Sequence, residues 1–172
     1  PLVIHYPERF PQAERITHNI STRRLFHTVL DVAGAQPPFN DENPNQDIER
    51  LSLAHLMGQD DMLSADVEGG RAYAEAVPPE TLLRVLRDRQ PEAVQRLRLE
   101  ETRRGLYEGD YKLALVGDSV ERLFNVGSDP AELFDASGDE RARTERLARQ
   151  LRAFIQEAQA LRTTAIMNGR VD

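Results

Sequence analysis

The 172-residue chain contains no cysteine, which removes thiol nucleophiles and the zinc sites that depend on Cys ligands. It has no run of 18 apolar residues, so no membrane span is expected. Lysine is nearly missing, since Lys112 stands alone among 22 basic residues. Those 22 face 29 acidic residues, for a net charge of −7, and they are spread over several segments. A nucleic-acid backbone therefore finds no basic stripe, and nucleic acid is not an expected partner. Catalytic fingerprints are also lacking: there is no nucleophile elbow, phosphate loop, dinucleotide motif or HExxH.

Enough apolar residues remain, 40% of the chain, for a real core, because a fold of this length buries roughly 70% of the surface its unfolded chain exposes. The opening run Pro1-Leu2-Val3-Ile4-His5-Tyr6-Pro7 starts without methionine and is apolar and β-prone. It predicts a strand over Leu2–Tyr6, and the absence of alternation suits burial on both faces, as in a parallel sheet. The expectation is a chain cut inside a fold. After a polar loop, Ser21 offers an N-cap to a helix whose stripe is Leu25, Phe26, Val29, Leu30 and Ala33, with Gly34 as its stop.

Residues 35 to 70 hold Pro37, Pro38, Pro44, Gly58, Gly69 and Gly70 around one short helical patch at Leu51, Leu53, Leu56 and Met57. They read as a long connecting loop. Arg71 to Val77 suits a strand, and a helix with Leu82, Leu83 and Leu86 on one face follows Pro78-Pro79. Pro91 starts a second short helix. The period then becomes two: Thr102–Tyr107, Tyr111–Val116 and Ser119–Val126 are strands separated by Glu108-Gly109-Asp110 and Gly117-Asp118, an antiparallel meander. Ser137 to Glu140 has capping-box spacing for a last helix carrying Leu147, Leu151, Phe154, Ile155, Ala158 and Leu161 on one side, with fraying expected after Leu161.

The fold class expected is α+β: an N-terminal strand and helix belonging to a larger α/β sheet, then a small antiparallel sheet of about four strands packed against a C-terminal helix. The divisions are 1–34, the connecting loop 35–70, and a C-terminal subdomain 71–172.

Candidates for chemistry are few. His5, His18, His27 and His55 have no close spacing that would make a metal pair, and His27 reads as an edge residue of a packed stripe. Asp41 to Asp47 places oxygens at alternate positions, but the EF-hand pattern needs glycine where Gln46 stands and glutamate where Ser52 stands. Asn19-Ile20-Ser21 is a sequon in which Ser21 already has a capping role. Glu100-Glu101 and Arg103-Arg104 enter a strand, where neighbours face opposite sides and so do not converge. No residue of the chain is assigned a catalytic, cofactor-binding or metal-binding role from its sequence.

Several segments resemble the sulfatase family, in the part that begins just after the catalytic core. Pro1 to Pro7 followed by Ser21 to Gly34 resembles a "VPLIIRWP"-like strand and a "DLFPTLLDLAG"-like helix. Arg24 replaces the common Asp and His27 the common Pro, and these departures point to a subfamily. Gly105 to Leu113 is similar to a "VRDGRYKLI" hairpin, and Leu123 to Glu132 to "ELYDLENDPGE". Leu51-Ser52-Leu53 matches a weaker "SL" signal. The pieces keep the family's order over about residues 1 to 150.

The resemblance implies a parent enzyme of the alkaline-phosphatase superfamily that hydrolyses sulfate esters. Sulfatases use a nucleophile in Cys-x-Pro-x-Arg, converted to formylglycine, and one divalent cation, usually Ca2+, held by Asp and Asn. Those motifs would lie upstream of Pro1, so the piece itself is expected to be non-catalytic and to help shape the substrate cleft. Its expected partner is the upstream catalytic portion of the same parent, with a homo-oligomer through the uncovered N-terminal strand as a further expectation. Two other readings stand beside this one: a phosphoesterase or phosphonate monoester hydrolase of the same superfamily, and a non-catalytic protein-interaction module.

Overall fold

A computed structural model describes residues 2–10, 13–35, 48 and 50–167, with side chains as far as residue 163. The chain divides into two compact units, Pro1–Ala72 and Tyr73–Asp172.

In the first unit, the described residues include α1 (Arg23–Ala33), helical residues at 48, 50 and 51, and the single-turn helices α2 (Leu53–Leu56) and α3 (Met62–Ala65). Helix α1 stops at Gly34, whose left-handed conformation (φ 61°) suits a residue without Cβ. Its N-cap is Thr22, one residue later than expected, and Thr22 makes no side-chain cap bond. The N-cap of α2 is Ser52, which accepts from Ala54 N at 3.1 Å.

Two expectations for this unit are corrected. Leu2–Tyr6 is not a strand: a β-segment needs a partner for its backbone groups, and none pairs with it among the described residues. Its side chains are largely uncovered, with Val3 85% and Leu2 54% exposed. Helix α1 is also turned the other way. Its buried residues are Arg24 and Thr28, whereas Phe26 is 49% and Val29 65% exposed. The connection 35–70 carries α3 in addition to the patch at Leu53–Leu56. The acidic run Asp41–Asp47 lies outside the described residues.

The second unit is built on a four-stranded antiparallel sheet of order β1 (Arg71–Ala76), β2 (Arg103–Glu108), β3 (Tyr111–Val116), β4 (Ser119–Asn125). The generic α+β class holds, and β1 joins the meander as an edge strand. Both hairpin turns place a glycine at positive φ, Gly109 at 56° and Gly117 at 57°, which an L side chain would resist. The register opposes Leu106 to Leu113 and Leu113 to Leu123. Alternation puts these leucines on one face, where Leu147, Ala148 and Leu151 of α6 (Arg141–Met167) complete the core. Tyr73 stacks on Phe154 with ring centroids 3.7 Å apart. Between β1 and β2 lie α4 (Glu80–Arg89) and α5 (Pro91–Arg96), the latter with proline in its first turn.

Helix α6 differs from expectation at both ends. It begins at Arg141, after the Ser137–Glu140 turn, and continues to Met167. Ala158 and Leu161 do not join the core; Leu161 is exposed.

Candidate functional site

The chemistry-bearing side chains gather in two places. The first is the inner face of α1. Ser21, Arg24, Thr28 and Asp31 are spaced three, four and three apart, which brings them to one side of a helical turn. Arg24, almost wholly buried, donates through Nη1 to Asp66 Oδ1 at 2.7 Å and through Nε to the Leu51 carbonyl at 2.9 Å. A weaker contact at 3.4 Å joins Nη2 to the Arg50 carbonyl.

Asp66 also accepts from the backbone N–H groups of Glu68 (2.9 Å) and Gly70 (3.1 Å), so one carboxylate shapes the turn that leads into β1. Glu68 Oε1 accepts from Arg23 Nε at 2.7 Å. One turn along α1, Thr28 Oγ1 donates to the Arg24 carbonyl at 2.7 Å and accepts from Leu53 N at 2.9 Å. Ser52 Oγ donates to Asp31 Oδ2 at 2.7 Å.

This is a buried ion pair whose partners are each held by further hydrogen bonds, the condition under which desolvated charges are tolerated. Two atoms fall short of it: His18 Nε2 and Glu68 Oε2 are buried without a hydrogen-bond partner. His18 Nε2 lies 3.3 Å from Asp66 Oδ2, close enough for attraction but without hydrogen-bond alignment. The cluster works as a clamp. Arg24 has both its charge and its donors committed, and Ser52 Oγ is bound directly to a carboxylate, so neither side chain is poised for nucleophilic or acid–base work.

Next to the clamp, the segment from Leu2 to Pro7 forms one wall of a cavity of about 880 Å3, with Ile16, Ile20, Leu53 and Met57 among the other lining residues. Its lining is mainly apolar.

The second place is the sheet face turned away from α6. Lys112, the one lysine, sits 5.5 Å from the ring centroid of Tyr107 and 5.9 Å from that of Phe124. It donates to both carboxylate oxygens of Glu132, at 2.8 and 2.6 Å. Partial burial works against its charged form, but the bonds to Glu132 and Tyr107 outweigh that, and its pKa is raised above the ordinary lysine value. Lys112 is a fixed cation and not a base.

The remaining sequence candidates stay apart. His55 Nε2 lies 3.4 Å from Asp31 Oδ2, His27 Nδ1 is 3.1 Å from the Arg23 carbonyl, and His5 lines the apolar cavity. Glu100 pairs with Arg87, Glu101 with Arg98 and Arg104 with Glu75. In the sequon, Asn19 is partly buried and Ser21 buried. Among the described residues no three His, Asp or Glu side chains form a group able to hold a metal ion, and no helix is long and apolar enough to cross a membrane. Sequence reasoning missed the partnership of Arg24 with Asp66, although the polar spacing along α1 was there to be read.

Comparison with known proteins gives no match to any family, curated protein or solved structure.

Proposed function

We propose that the chain is the C-terminal portion of a sulfatase-like hydrolase of the alkaline-phosphatase superfamily. In this reading residues 1–34 end the catalytic α/β domain, and 71–172 form the subdomain that flanks the cleft. The observation that carries the reading is the order of the matching segments: Leu2–Pro7, Ser21–Gly34, Leu51–Leu53, Gly105–Leu113 and Leu123–Glu132 follow one another as in the family. Two surfaces suit it further. Leu2, Val3 and Ile4 expose apolar side chains, and so do Phe26 and Val29 of α1. Such surfaces gain when a neighbour covers them, by about 1.5–3 kcal/mol for each large aliphatic side chain fully buried.

Hydrolysis of a sulfate ester needs an activated nucleophile, a cation beside the sulfate oxygens and an acid for the leaving alcohol. In the proposed parent these come from the upstream portion, with formylglycine and Ca2+ as the expected groups. The chain has no cysteine to become formylglycine, and among the described residues no group of His, Asp or Glu is placed to hold the cation.

The test is the parent coding sequence and its activity. An in-frame Cys/Ser-x-Pro-x-Arg segment upstream, with turnover of an aryl sulfate over the matched aryl phosphate, is the expected result. Preference for the phosphate assigns the parent to the phosphoesterase branch. Absence of the segment, or failure on every sulfate ester, ends the enzymatic reading.

A further inference from the structure

Residues 13–20 contain no helix or strand, so side chains must hold them to the rest of the first unit. Near one end, Glu14 Oε2 accepts from Gly58 N at 2.8 Å. Near the other, His18, with a side chain 12% exposed, brings Nε2 to 3.3 Å from Asp66 Oδ2. Its ring lies against Gly70, where an added Cβ would come within 3.5 Å of His18 Cβ and 3.6 Å of its Cδ2. Gly70 N donates to the same Asp66 oxygen at 3.1 Å. One carboxylate oxygen therefore faces both the turn and the histidine. Ile16, His18 and Ile20 also line the cavity of about 880 Å3, so the position of His18 bears on one of its walls.

The charges enclosed here do not balance. Asp66 and Glu68, with side chains 0% and 5% exposed, share the one buried guanidinium of Arg24. Arg24 binds Asp66 through Oδ1 at 2.7 Å, and its Nε stays 4.0 Å from Glu68 Oε2. Arg23, half exposed, reaches Glu68 through Oε1. Glu68 Oε2 and His18 Nε2 are left buried without a hydrogen-bond partner, a costly state for polar atoms. A proton taken from solvent by the imidazole would answer both. It makes Nε2 a charged donor toward Asp66 Oδ2, and it sets two enclosed cations against two carboxylates. The remaining charges near the ring are engaged elsewhere or lie in the cavity wall. Asp61 accepts from the hydroxyl and N–H of Ser64, which chiefly lower its pKa, and the charge of His18 lowers it further. Arg71 Nε donates to the Glu68 carbonyl at 2.8 Å. Arg15 and His5 line the cavity beside His18. Arg24 is the like charge on Asp66, and it takes the other oxygen.

We propose that His18 is a proton-operated latch: when protonated it fastens residues 13–20 to the Asp66–Gly70 turn and closes that wall of the apolar cavity, and when neutral it lets the wall loosen. Histidine changes charge between about pH 5 and 8. A histidine that gains a carboxylate partner in the fold adds stability that is complete in acid and is lost as pH rises. The latch is therefore shut at about pH 6 and open at about pH 8. It stands on these contacts and does not depend on the hydrolase reading.

The test is an NMR titration of the full chain between about pH 8 and about pH 6, reading the His18 ring and the methyl groups of Ile16 and Ile20. Methyl groups report on the wall without the amide exchange that erases loop signals in base. His55 lies 3.4 Å from Asp31 and His5 lines the cavity, so a His5→Gln, His55→Gln background leaves His18 as the imidazole beside it. The His18 ring should titrate within this range, and the Ile16 and Ile20 methyl signals should shift with the same midpoint. Their order parameters should fall toward pH 8, as the wall loosens. His18→Gln, which keeps polar atoms but takes up no proton, should hold both methyls at their high-pH positions throughout; a packing role alone would give no pH response in the parent background. A ring that does not titrate in this range, methyls that stay still while it does, order that falls toward acid, or a pH response that persists in His18→Gln overturns the latch. Should His18→Gln fail to fold, the ring and methyl midpoints of the background chain decide the matter.

Discussion

Replacing Arg24 by methionine tests whether the buried clamp holds the first unit together. The substitution keeps most of the apolar stem and removes the guanidinium, leaving Asp66, whose side chain is 0% exposed, without its counter-charge. The Leu51 carbonyl loses its 2.9 Å donor at the same time. Removing one partner of a buried ion pair costs about 3–5 kcal/mol, because the other charge stays desolvated. Hydrogen exchange is the appropriate assay, since it reads each unit separately. At about 1.4 kcal/mol per factor of ten, protection of the α1 amides should fall by roughly two to three and a half orders of magnitude. The β2 and β3 amides should keep theirs. Adding Asp66→Asn removes the stranded charge while still offering an acceptor to Glu68 N, so the double variant should recover part of the loss. A single-variant cost below about 1 kcal/mol, the level of a surface pair, would refute the clamp, and so would an equal loss in both units.

Leu113→Ala cuts into the centre of the second core, where Leu106, Leu123, Leu147 and Leu151 surround it; denaturant unfolding should show a loss of about 2–5 kcal/mol. Asp135 is pushed upward by burial, but the N–H groups of Ser137 and Leu123 outweigh that and its pKa is lowered. A carboxylate depressed in the fold adds stability that is complete above its unfolded value, about 4, and fades as pH falls through the folded one. Asp135→Asn should therefore be less stable at neutral pH and show a flatter acid limb in thermal melts between about pH 4 and 2. Phe26→Ser with Val29→Thr changes only outward-facing positions of α1, so the isolated chain should shift by no more than about 0.5 kcal/mol in a chemical melt. The proposed full-length parent should lose several times that.

The second unit was largely legible in the sequence, and the first was not, for a physical reason. Period-two strands with glycine-containing turns define their own partners: Tyr111–Val116 has a neighbouring strand close in sequence on each side, and the β2–β3 register follows from its turn, whereas β3–β4 shifts by one residue at an irregularity between Ala114 and Leu115. Leu147 and Leu151 then had one apolar platform available. In the first unit the deciding contacts are polar and distant. Arg24 reaches Asp66 across 42 positions, through a carboxylate that apolar periodicity does not register. Short helices such as Met62–Ala65 add too few residues for a period to appear.

Helix α1 has requirements on two sides. Its inner side is satisfied by bonds from Arg24 and Thr28 to its own unit, and these fix its rotation, because turning Phe26 and Val29 inward would strand a guanidinium and a carboxylate. Its outer side remains apolar at positions 26, 29 and 33, the spacing of a packed helical face. A surface helix needs one such face; a helix lying between two layers needs both. The polar side chosen by the chain thus sets where any second layer must sit. A covering element has to approach α1 from the Phe26 side, and it need not compete with the Asp66 clamp. That division is what an upstream catalytic sheet of the proposed parent would require, since it could dock or be absent without disturbing the bonds that keep the first unit folded.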